Sequence, residues 1–482
     1  MKIELLRLCR IIAAGPFILG LVNVARGDAD STTPKAPPAY TVLRYDEDYS
    51  YLKDPDARTD FFDPAKYLPF NEQGDAYLSL GGQVRDRYEY FHNNTFGSGA
   101  QDQNGYNLLR VMLNADVHAG PFLRAFVQGI SATEQDRVGG PRSSDENKVD
   151  LHQAFVDLTI PLGDDLSFNL RSGRQVVIFG AQRLIGASDW TNVRRTTDGF
   201  RATLNSPGNS LDAFYLRPAR VLPYTGDDNS PHTFLLGLYD TWKIPGELSK
   251  AKTQLESYVI YANRQNMTFN KTKAGESRYT FGSRVTAIPK PFDIDVEGDY
   301  QVGQFHEKET HSFSLAAVGG FTFEHVLLSP RPFIGFDIAS GGRTDNPGDA
   351  FDQLFPSGHD QFGIIDALGR QNIIDVHPGV TLALLKNEPA AKAVSLLAQY
   401  RQFWRESNQD AAYTSSGTVL RASGISTATS IGGEFDLQLN WQFDRHISAY
   451  AGYCHFFEGA FISNTGPHHD IDFAFSALTF MF

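Results

Sequence analysis

The most constraining feature of this sequence is a repeat that runs from about residue 76 to the last residue, Phe482. Segments of roughly ten residues alternate apolar and polar side chains, and turn-forming residues separate one segment from the next. Short and long connectors also alternate, as they do when antiparallel strands cross an outer membrane. The repeat predicts an all-β chain, a transmembrane antiparallel up-and-down β-barrel with short periplasmic turns and long extracellular loops.

Eighteen segments fit this repeat, and their even number puts both ends of the barrel sequence on one side of the membrane. The short connectors include Ala119-Gly120-Pro121 and Ser206-Pro207-Gly208, whose proline cannot continue a strand ladder. The long polar connectors fall at 92–104, 135–148, 342–373 and 406–429. The predicted strands lie near 76–91, 105–118, 122–134, 149–161, 165–177, 197–205, 209–221, 232–243, 253–263, 277–288, 292–304, 310–324, 331–341, 374–386, 391–405, 430–443, 446–457 and 470–482.

The period of two assigns each side chain to lipid or to the lumen. In the first strand the apolar Leu78, Leu80 and Val84 are predicted to face lipid, and Asp86 is an exception on that face. A soluble sheet protein would explain any single strand of this kind. It does not explain eighteen of them behind a secretory leader and before a terminal aromatic residue. The inward side chains of the first strand are predicted to be Ser79, Gln83, Arg85, Arg87 and Glu89.

Three regions follow from the composition along the chain. Residues 1–27 have the charged, apolar and small-residue order of a signal peptide, although a helix of the mature chain is the alternative. Residues 28–75 are polar and proline-rich, which predicts an irregular segment at the periplasmic mouth or in the lumen. Residues 76–482 form the predicted barrel, and the expected location is the outer membrane of a Gram-negative bacterium.

Several function classes are disfavoured. A net charge of -13 argues against nucleic acid as a partner. Cys9 lies in the predicted leader, so Cys454 is predicted to be the only thiol of the mature chain, and one thiol allows neither a disulfide framework nor a thiolate metal site. The sequence contains no GxSxG, HExxH, P-loop or CxxC motif. We therefore expect that the protein is not an enzyme and binds no cofactor and no metal. Outer-membrane lipid is the expected surrounding partner.

Arginines recur at or near inward positions, where eighteen strands would enclose an aqueous channel. A guanidinium binds carboxylates in a two-pronged geometry and stays charged, so a ring of arginines favours anions. Inward carboxylates such as Asp116 and Glu297 either hold these arginines or form a separate wall. The inward arginines are Arg85, Arg87, Arg110, Arg124, Arg171, Arg201, Arg284 and Arg401.

The densest stretch, GRQVVIFGAQRLIGASDWTNVRRTTDGFR at 173–201, resembles the signature of the alginate export outer-membrane family. YLSLGGQVRDRYEYF, HDQFGIIDALGRQN, GEFDLQLNW and GYCHFFEGAFI are also similar to that family, and the resemblance covers nearly the whole mature chain. It implies an eighteen-stranded barrel whose arginine-rich constriction passes a polyuronate. The residues it assigns to the constriction and its partners are Arg85, Arg174, Arg183, Arg195, Asp198 and Arg401.

The resulting prediction is a channel for an anionic poly- or oligosaccharide. The alternatives are a porin for small solutes such as organic acids or sugars, and an adhesin or assembly platform built on the long loops. Periplasmic polysaccharide-synthesis components are further candidate partners. The sequence does not specify the solute, the direction of transport or whether a plug is present. The predicted pore residues are Arg85, Arg87, Arg110, Arg124, Arg174, Arg183, Arg195, Asp198, Arg201 and Arg401.

Overall fold

The computed structural model describes residues 39–359, 361–385, 393–424 and 426–482, without the side chains of Glu247 and Ser249. The predicted signal peptide and the start of the irregular segment lie outside these residues. The barrel strands are β1 Ala76–His92, β2 Tyr106–Ala119, β3 Leu123–Gln135, β4 Asn147–Pro161, β5 Ser167–Gln175, β6 Thr197–Ser206, β7 Asn209–Arg220, β8 Thr233–Lys243, β9 Gln254–Phe269, β10 Thr272–Ala287, β11 Phe292–Phe305, β12 Lys308–Phe321, β13 Arg331–Ala339, β14 Ile373–Leu385, β15 Ala393–Trp404, β16 Ser430–Gln442, β17 Ile447–Glu458 and β18 Ile471–Met481.

Helices and short strands are confined to connectors and to the segment before β1. The α-helices are α1 Asp63–Lys66, α2 Asn94–Gly97, α3 Glu247–Lys250 and α4 Ala460–Ser463. The 3-10 turns are Arg44–Asp46, Ser50–Lys53, Pro55–Ala57 and Pro347–Asp349. The short strands are Leu68–Pro69 beside β1, Asp228–Asn229 beside β7, and the pair Ala412–Tyr413 and Val419–Arg421. Across the described ranges, no helix has the length and apolarity that a membrane crossing requires.

The sheet closes on itself. Each strand pairs antiparallel with the next, and β18 pairs with β1, where Met481 lies opposite Gln83 and Asp472 opposite His92. Closure gives every strand two neighbours, so no row of backbone groups is left at an edge that would face hydrocarbon. The predicted antiparallel barrel of eighteen strands is confirmed.

The alternation places the side chains as the period of two predicts. In β2 the outward Leu109 and Leu113 are 42% and 60% exposed, whereas Arg110 between them is fully buried. In β11 the outward Val296 and Tyr300 are likewise exposed. Asp86 does lie on the outer face of β1. The apolar belt therefore surrounds a wall whose inner side carries the charged residues.

The connectors differ in length at the two ends of the barrel, which we call the short-turn end and the long-loop end. Two connectors at the long-loop end are nevertheless turns of two residues, Asn270-Lys271 and His306-Glu307. Positive φ angles of 50° and 64° at His306 and Glu307 suit such a turn. At the ends of the strands that they join, Phe269 and Phe305 are buried beside residues of the neighbouring long connectors.

Protein fills much of the lumen. We call residues 176–196, between β5 and β6, the lumen arm, and residues 340–372, between β13 and β14, the lumen loop. Phe179 of the arm stacks on Tyr239 of β8 at a ring-centroid distance of 4.5 Å. Leu184 of the arm and Ile365 of the loop join the same buried apolar cluster. The eighteen strands therefore enclose a partly filled lumen rather than a simple aqueous channel.

Candidate functional site

The lumen arm and the lumen loop form one layer across the barrel. The amide of Gly186 donates to the carbonyl of Phe355 at 3.0 Å, and the amide of Phe355 donates to that of Leu184 at 2.8 Å. Arg195 at the end of the arm donates to the carbonyls of Phe355 and Pro356 at 2.6 and 2.7 Å. Because backbone and side-chain bonds both join them, a displacement of one segment would disturb the other.

Arg85 and Arg110 on the wall hold the tip of the arm by its backbone. Arg85 donates to the carbonyls of Asp189, Trp190 and Thr191 at 2.7, 3.1 and 3.0 Å. Arg110 donates to the Asp189 and Thr191 carbonyls, both at 3.2 Å. A buried guanidinium must find acceptors for its five N–H groups, and the exposed carbonyls of an irregular turn supply them.

Arg87 supports the same turn from the next inward position of β1. Its guanidinium donates to the Trp190 carbonyl, lies 4.2 Å from the centroid of the Trp190 ring and pairs with Glu89 at 2.8 Å. The Trp190 ring in turn stacks on His359 of the lumen loop at 3.7 Å. The structure thus brings three predicted pore arginines, Arg85, Arg87 and Arg110, together around one turn of the arm.

The carboxylate of Asp189 occupies an arginine fork at this turn. Its Oδ1 accepts from Arg110 at 2.8 Å and from Arg194 at 2.5 Å. The Asp189 side chain is 37% exposed, whereas those of Arg110 and Arg194 are 0% and 3% exposed. Burial acts to raise the pKa of Asp189, but the charges of Arg194, Arg110 and Arg85 outweigh it and hold that pKa well below its usual range.

This depressed pKa gives a pH prediction. A carboxyl whose folded pKa is lowered contributes stability above its unfolded pKa, about 3.9, and loses it only as the pH falls through the lower folded value. We therefore expect the arm to stay in place at pH 5 as at pH 8, with equal single-channel conductance in planar bilayers. A reversible rise in conductance on going to pH 5 would contradict this.

Arg183 and Arg401 pair with carboxylates of the wall. Arg183, on the arm, donates to Asp295 and Glu297 of β11 at 3.1 and 2.6 Å. Arg401, on β15, donates to Asp375 of β14 at 2.6 Å and to the carbonyl of residue 361 at 3.2 Å. These two arginines and Arg195 hold the arm and the loop through bonds to residues other than Asp189.

Arg124 and Arg201 lie on the wall and pair with inward carboxylates. Arg124 donates to Asp116 at 2.7 Å and also to the carbonyl of Tyr45, which belongs to the segment before β1. Arg201 donates to Asp212 of the neighbouring strand at 2.7 and 2.9 Å. Neither arginine contacts the Asp189 turn through these bonds.

Arg174 and Asp198 lie elsewhere. They pair with each other at 2.8 and 3.0 Å, opposite in the register of β5 and β6. Asp198 is two residues from Phe200, which is 55% exposed on the outer face, so Asp198 lies on the same face of the strand. Arg174 and Asp198 are both at the long-loop end of their strands. The structure therefore does not bring this pair together with the arginines around Asp189.

The described part of the N-terminal segment, residues 39–75, enters the lumen from the short-turn end. Arg44 donates to the carbonyls of Gly82 and Phe482 at 2.9 and 2.8 Å. Tyr45 donates to the Val176 carbonyl at 2.8 Å, and the guanidinium of Arg171 lies 4.1 Å from the centroid of its ring. The sequence predicted this segment either at the periplasmic mouth or in the lumen. Its residues 44–45 lie in the lumen.

Asp189 and Arg194 belong to the site, although neither was among the pore residues predicted from the sequence. Both stand in the stretch 173–201 that the resemblance singled out, so the density of polar residues there was a usable signal. Nothing in the spacing indicated that the wall arginines would bind main-chain carbonyls of a connector instead of lining an open pore.

Solved outer-membrane porins of Pseudomonas aeruginosa have a similar fold. The structure of OpdK with vanillate aligns with a TM-score of 0.55 and 11% identity, covering 86% of this chain and 99% of OpdK. The structure of OccD3 aligns with a TM-score of 0.55 and 10% identity, covering 87% and 93% of the two chains. At these identities the likeness concerns the fold. A comparison with curated protein sequences gave no match.

The sequence model of the alginate export family matches residues 76–474, from the first residue of β1 into β18. The family is one of export, and these structures are of outer-membrane porins. Taken with the closed barrel and its apolar outer belt, the match makes this protein a channel in the outer membrane of a Gram-negative bacterium. The chain belongs to the alginate export family.

Proposed function

We propose that this outer-membrane channel passes an anionic poly- or oligosaccharide of the alginate-type polyuronate class. The observation that carries the proposal is the partly exposed carboxylate of Asp189, bound by the buried Arg110 and Arg194. Two guanidinium groups that donate to one carboxylate oxygen bind an anion through charge-assisted hydrogen bonds. A uronate unit carries such a carboxylate, and it would compete with Asp189 for the same two guanidinium groups.

In this proposal the arm opens as the solute binds. A carboxylate that replaces Asp189 removes the ionic contact that holds the arm tip to β2. The remaining contacts of Arg85 are hydrogen bonds to backbone carbonyls, which are not specific to the side chain at 189. Repeated uronate carboxylates would keep the fork occupied as a polymer moves, so that the passage stays open while a polymer is in it.

A second candidate is a porin for small organic acids. It is favoured because the lumen arm, the lumen loop and Tyr45 fill much of the lumen. Tyr45 is only 3% exposed. OpdK, one of the similar structures, was solved with vanillate, a small aromatic carboxylate. The same arginine fork would bind a monomeric carboxylate, and such a solute needs less displacement of the arm than a polymer does.

Planar-bilayer recordings separate these candidates. We expect current through the wild-type channel to be blocked by uronate oligomers and not by neutral glucan oligomers of equal length. Asp189→Asn, which removes the competing charge but keeps a hydrogen-bond acceptor, is expected to show block at several-fold lower oligomer concentration. Asp293→Asn is the matched control, because Asp293 pairs with Arg331 at 2.8 Å and has no hydrogen bond to the arm.

Two outcomes would contradict the polyuronate proposal. One is a cation-selective current that uronate oligomers leave unchanged. The other is passage of small carboxylates, measured as anion current in their sodium salts, without block or transit of uronate oligomers, which would establish the second candidate instead. An equal shift in Asp189→Asn and Asp293→Asn would show a general charge effect rather than competition at the fork.

A further inference from the structure

Three side chains with metal-binding atoms meet on the inner wall of β16 and β17. They are Glu434, Asp436 and Cys454, and all three are fully buried. One oxygen from each carboxyl group and the sulfur of Cys454 lie within 4.8 Å of one another. Asp436 and Cys454 are directly opposite in the strand register. Neither the lumen arm nor the Asp189 fork includes these residues.

The hydrogen bonds of the two carboxyl groups leave an oxygen of each without a donor. Glu434 Oε1 accepts from the amide of Ile365 at 2.9 Å, and Asp436 Oδ2 accepts from Gln399 at 2.8 Å. Glu434 Oε2 and Asp436 Oδ1 are buried and have no hydrogen-bond partner within the described part of the chain. Two buried carboxylates this close repel each other strongly unless a cation or a proton lies between them.

A second buried cluster of the same kind shows the contrast. Asp337, Asp375 and His377 also bring their ligand atoms within 4.8 Å of one another. There, however, Arg370 pairs with Asp337 at 2.8 Å and Arg401 pairs with Asp375 at 2.6 Å. Arg401 is also directly opposite Glu434 in the register of β15 and β16, but the carboxylate with which its guanidinium pairs is that of Asp375. Arginine charge therefore compensates both carboxylates of the second cluster directly, so that cluster calls for no further cation.

We propose that Glu434, Asp436 and Cys454 bind one divalent transition-metal ion of the zinc class. Zinc accepts carboxylate oxygen and thiolate sulfur together and tolerates a water as a further ligand. On binding, the ion displaces to solvent the proton of the Cys454 thiol and the proton that the two carboxyl groups share without it, and the two carboxylates and the thiolate hold the ion. The sequence argued against a thiolate site because there is one thiol. Two carboxylates from the adjoining strand supply the other ligands.

The bound ion would act on the lumen loop. Glu434 is the acceptor for the Ile365 amide, and the backbone of Gly363 lies directly over the same carboxyl group, where an added Cβ would come within 2.3 Å of it. An ion that fixes the Glu434 carboxylate therefore fixes the surface on which residues 363–365 rest. We infer a metal-dependent support for the lumen loop, independent of which solute the channel passes.

The test uses the full mature chain, purified in detergent, stripped with a chelator and dialysed against Zn²⁺. Elemental analysis is expected to give one zinc per chain, and Cd²⁺ in its place is expected to give a thiolate charge-transfer absorption band. Cys454→Ser should lose the band, and Asp436→Asn should bind zinc at least ten-fold more weakly. Asp337→Asn, in the arginine-compensated cluster, is the matched control and should keep both signals.

The proposal is overturned in two ways. Equal zinc binding by wild type and Cys454→Ser would mean an adventitious ion only. The second outcome is a folded, heat-modifiable barrel that binds neither Zn²⁺ nor Cd²⁺. If it also shows the infrared band of a buried carboxylic acid, and Glu434→Gln loses that band, a shared proton occupies the position instead. Because heat-modifiability on gels reports folding separately, a variant that fails to fold is not counted as one that fails to bind.

Discussion

Deleting residues 39–66 is expected to raise the single-channel conductance of the barrel several-fold. These residues hold Arg44 and Tyr45 inside the lumen, where Tyr45 is 3% exposed and its ring packs edge-on against Phe155 at 5.2 Å. No barrel strand lies in the deleted range, since β1 begins at Ala76. Ion flow through a pore rises steeply as its narrowest cross-section widens, so removing a segment that fills the lumen has a large effect. Planar-bilayer recordings measure it directly.

A point variant tests whether the lumenal side chains are responsible. Arg44→Ala with Tyr45→Ala should reproduce part of the increase, because it removes the bonds to Gly82, Phe482 and Val176. Asp54→Ala is the control, since Asp54 is exposed and caps only the 3-10 turn Pro55–Ala57. Unchanged conductance in a folded deletion variant would show that the segment does not limit the passage.

The strands could be predicted because the information that specifies them is local. A β-strand that separates lipid from lumen must alternate, and each alternation stands in about ten consecutive residues. The same rule gave the side on which Arg85 and Arg110 lie. The same alternation also places Arg174 and Asp198 on the outer face, because each is two residues from an outward residue, Ser172 or Phe200. The family resemblance, rather than the alternation, assigned those two residues to the constriction.

The contents of the lumen could not be predicted in the same way. Arg85 binds carbonyls that are more than one hundred positions away along the chain, and a carbonyl is the same group in every residue. The lumen arm has no period, so its path depends on tertiary contacts such as the stacking of Trp190 on His359. The sequence placed a connector at 305–309, but neither His306 nor Glu307 is a glycine or an asparagine that would have indicated a turn of two residues.

Arg110→Ala is expected to release the tip of the lumen arm and to abolish block by uronate oligomers at concentrations that block the wild type. Arg110 is fully buried and donates to two arm carbonyls and to the Asp189 carboxylate. Hydrogen bonds to charged groups contribute about 1.5–3 kcal/mol each, so losing this set weakens the hold on the tip substantially, although Arg85 keeps its bonds to the carbonyls of residues 189–191. The arm would then fluctuate, which bilayer recordings show as frequent current transitions.

Arg331→Ala is the matched control for this experiment. Arg331 is also an arginine of the barrel wall, but the carboxylate it binds is Asp293, near the short-turn end and without a hydrogen bond to the arm. If its loss produced the same transitions, the cause would be a general loss of positive charge from the wall. If Arg110→Ala left both the current trace and the uronate block as in the wild type, the fork at Asp189 would hold neither the arm nor the solute. Retained block with new transitions would separate the two roles, assigning the arm to Arg110 and the solute to Arg194.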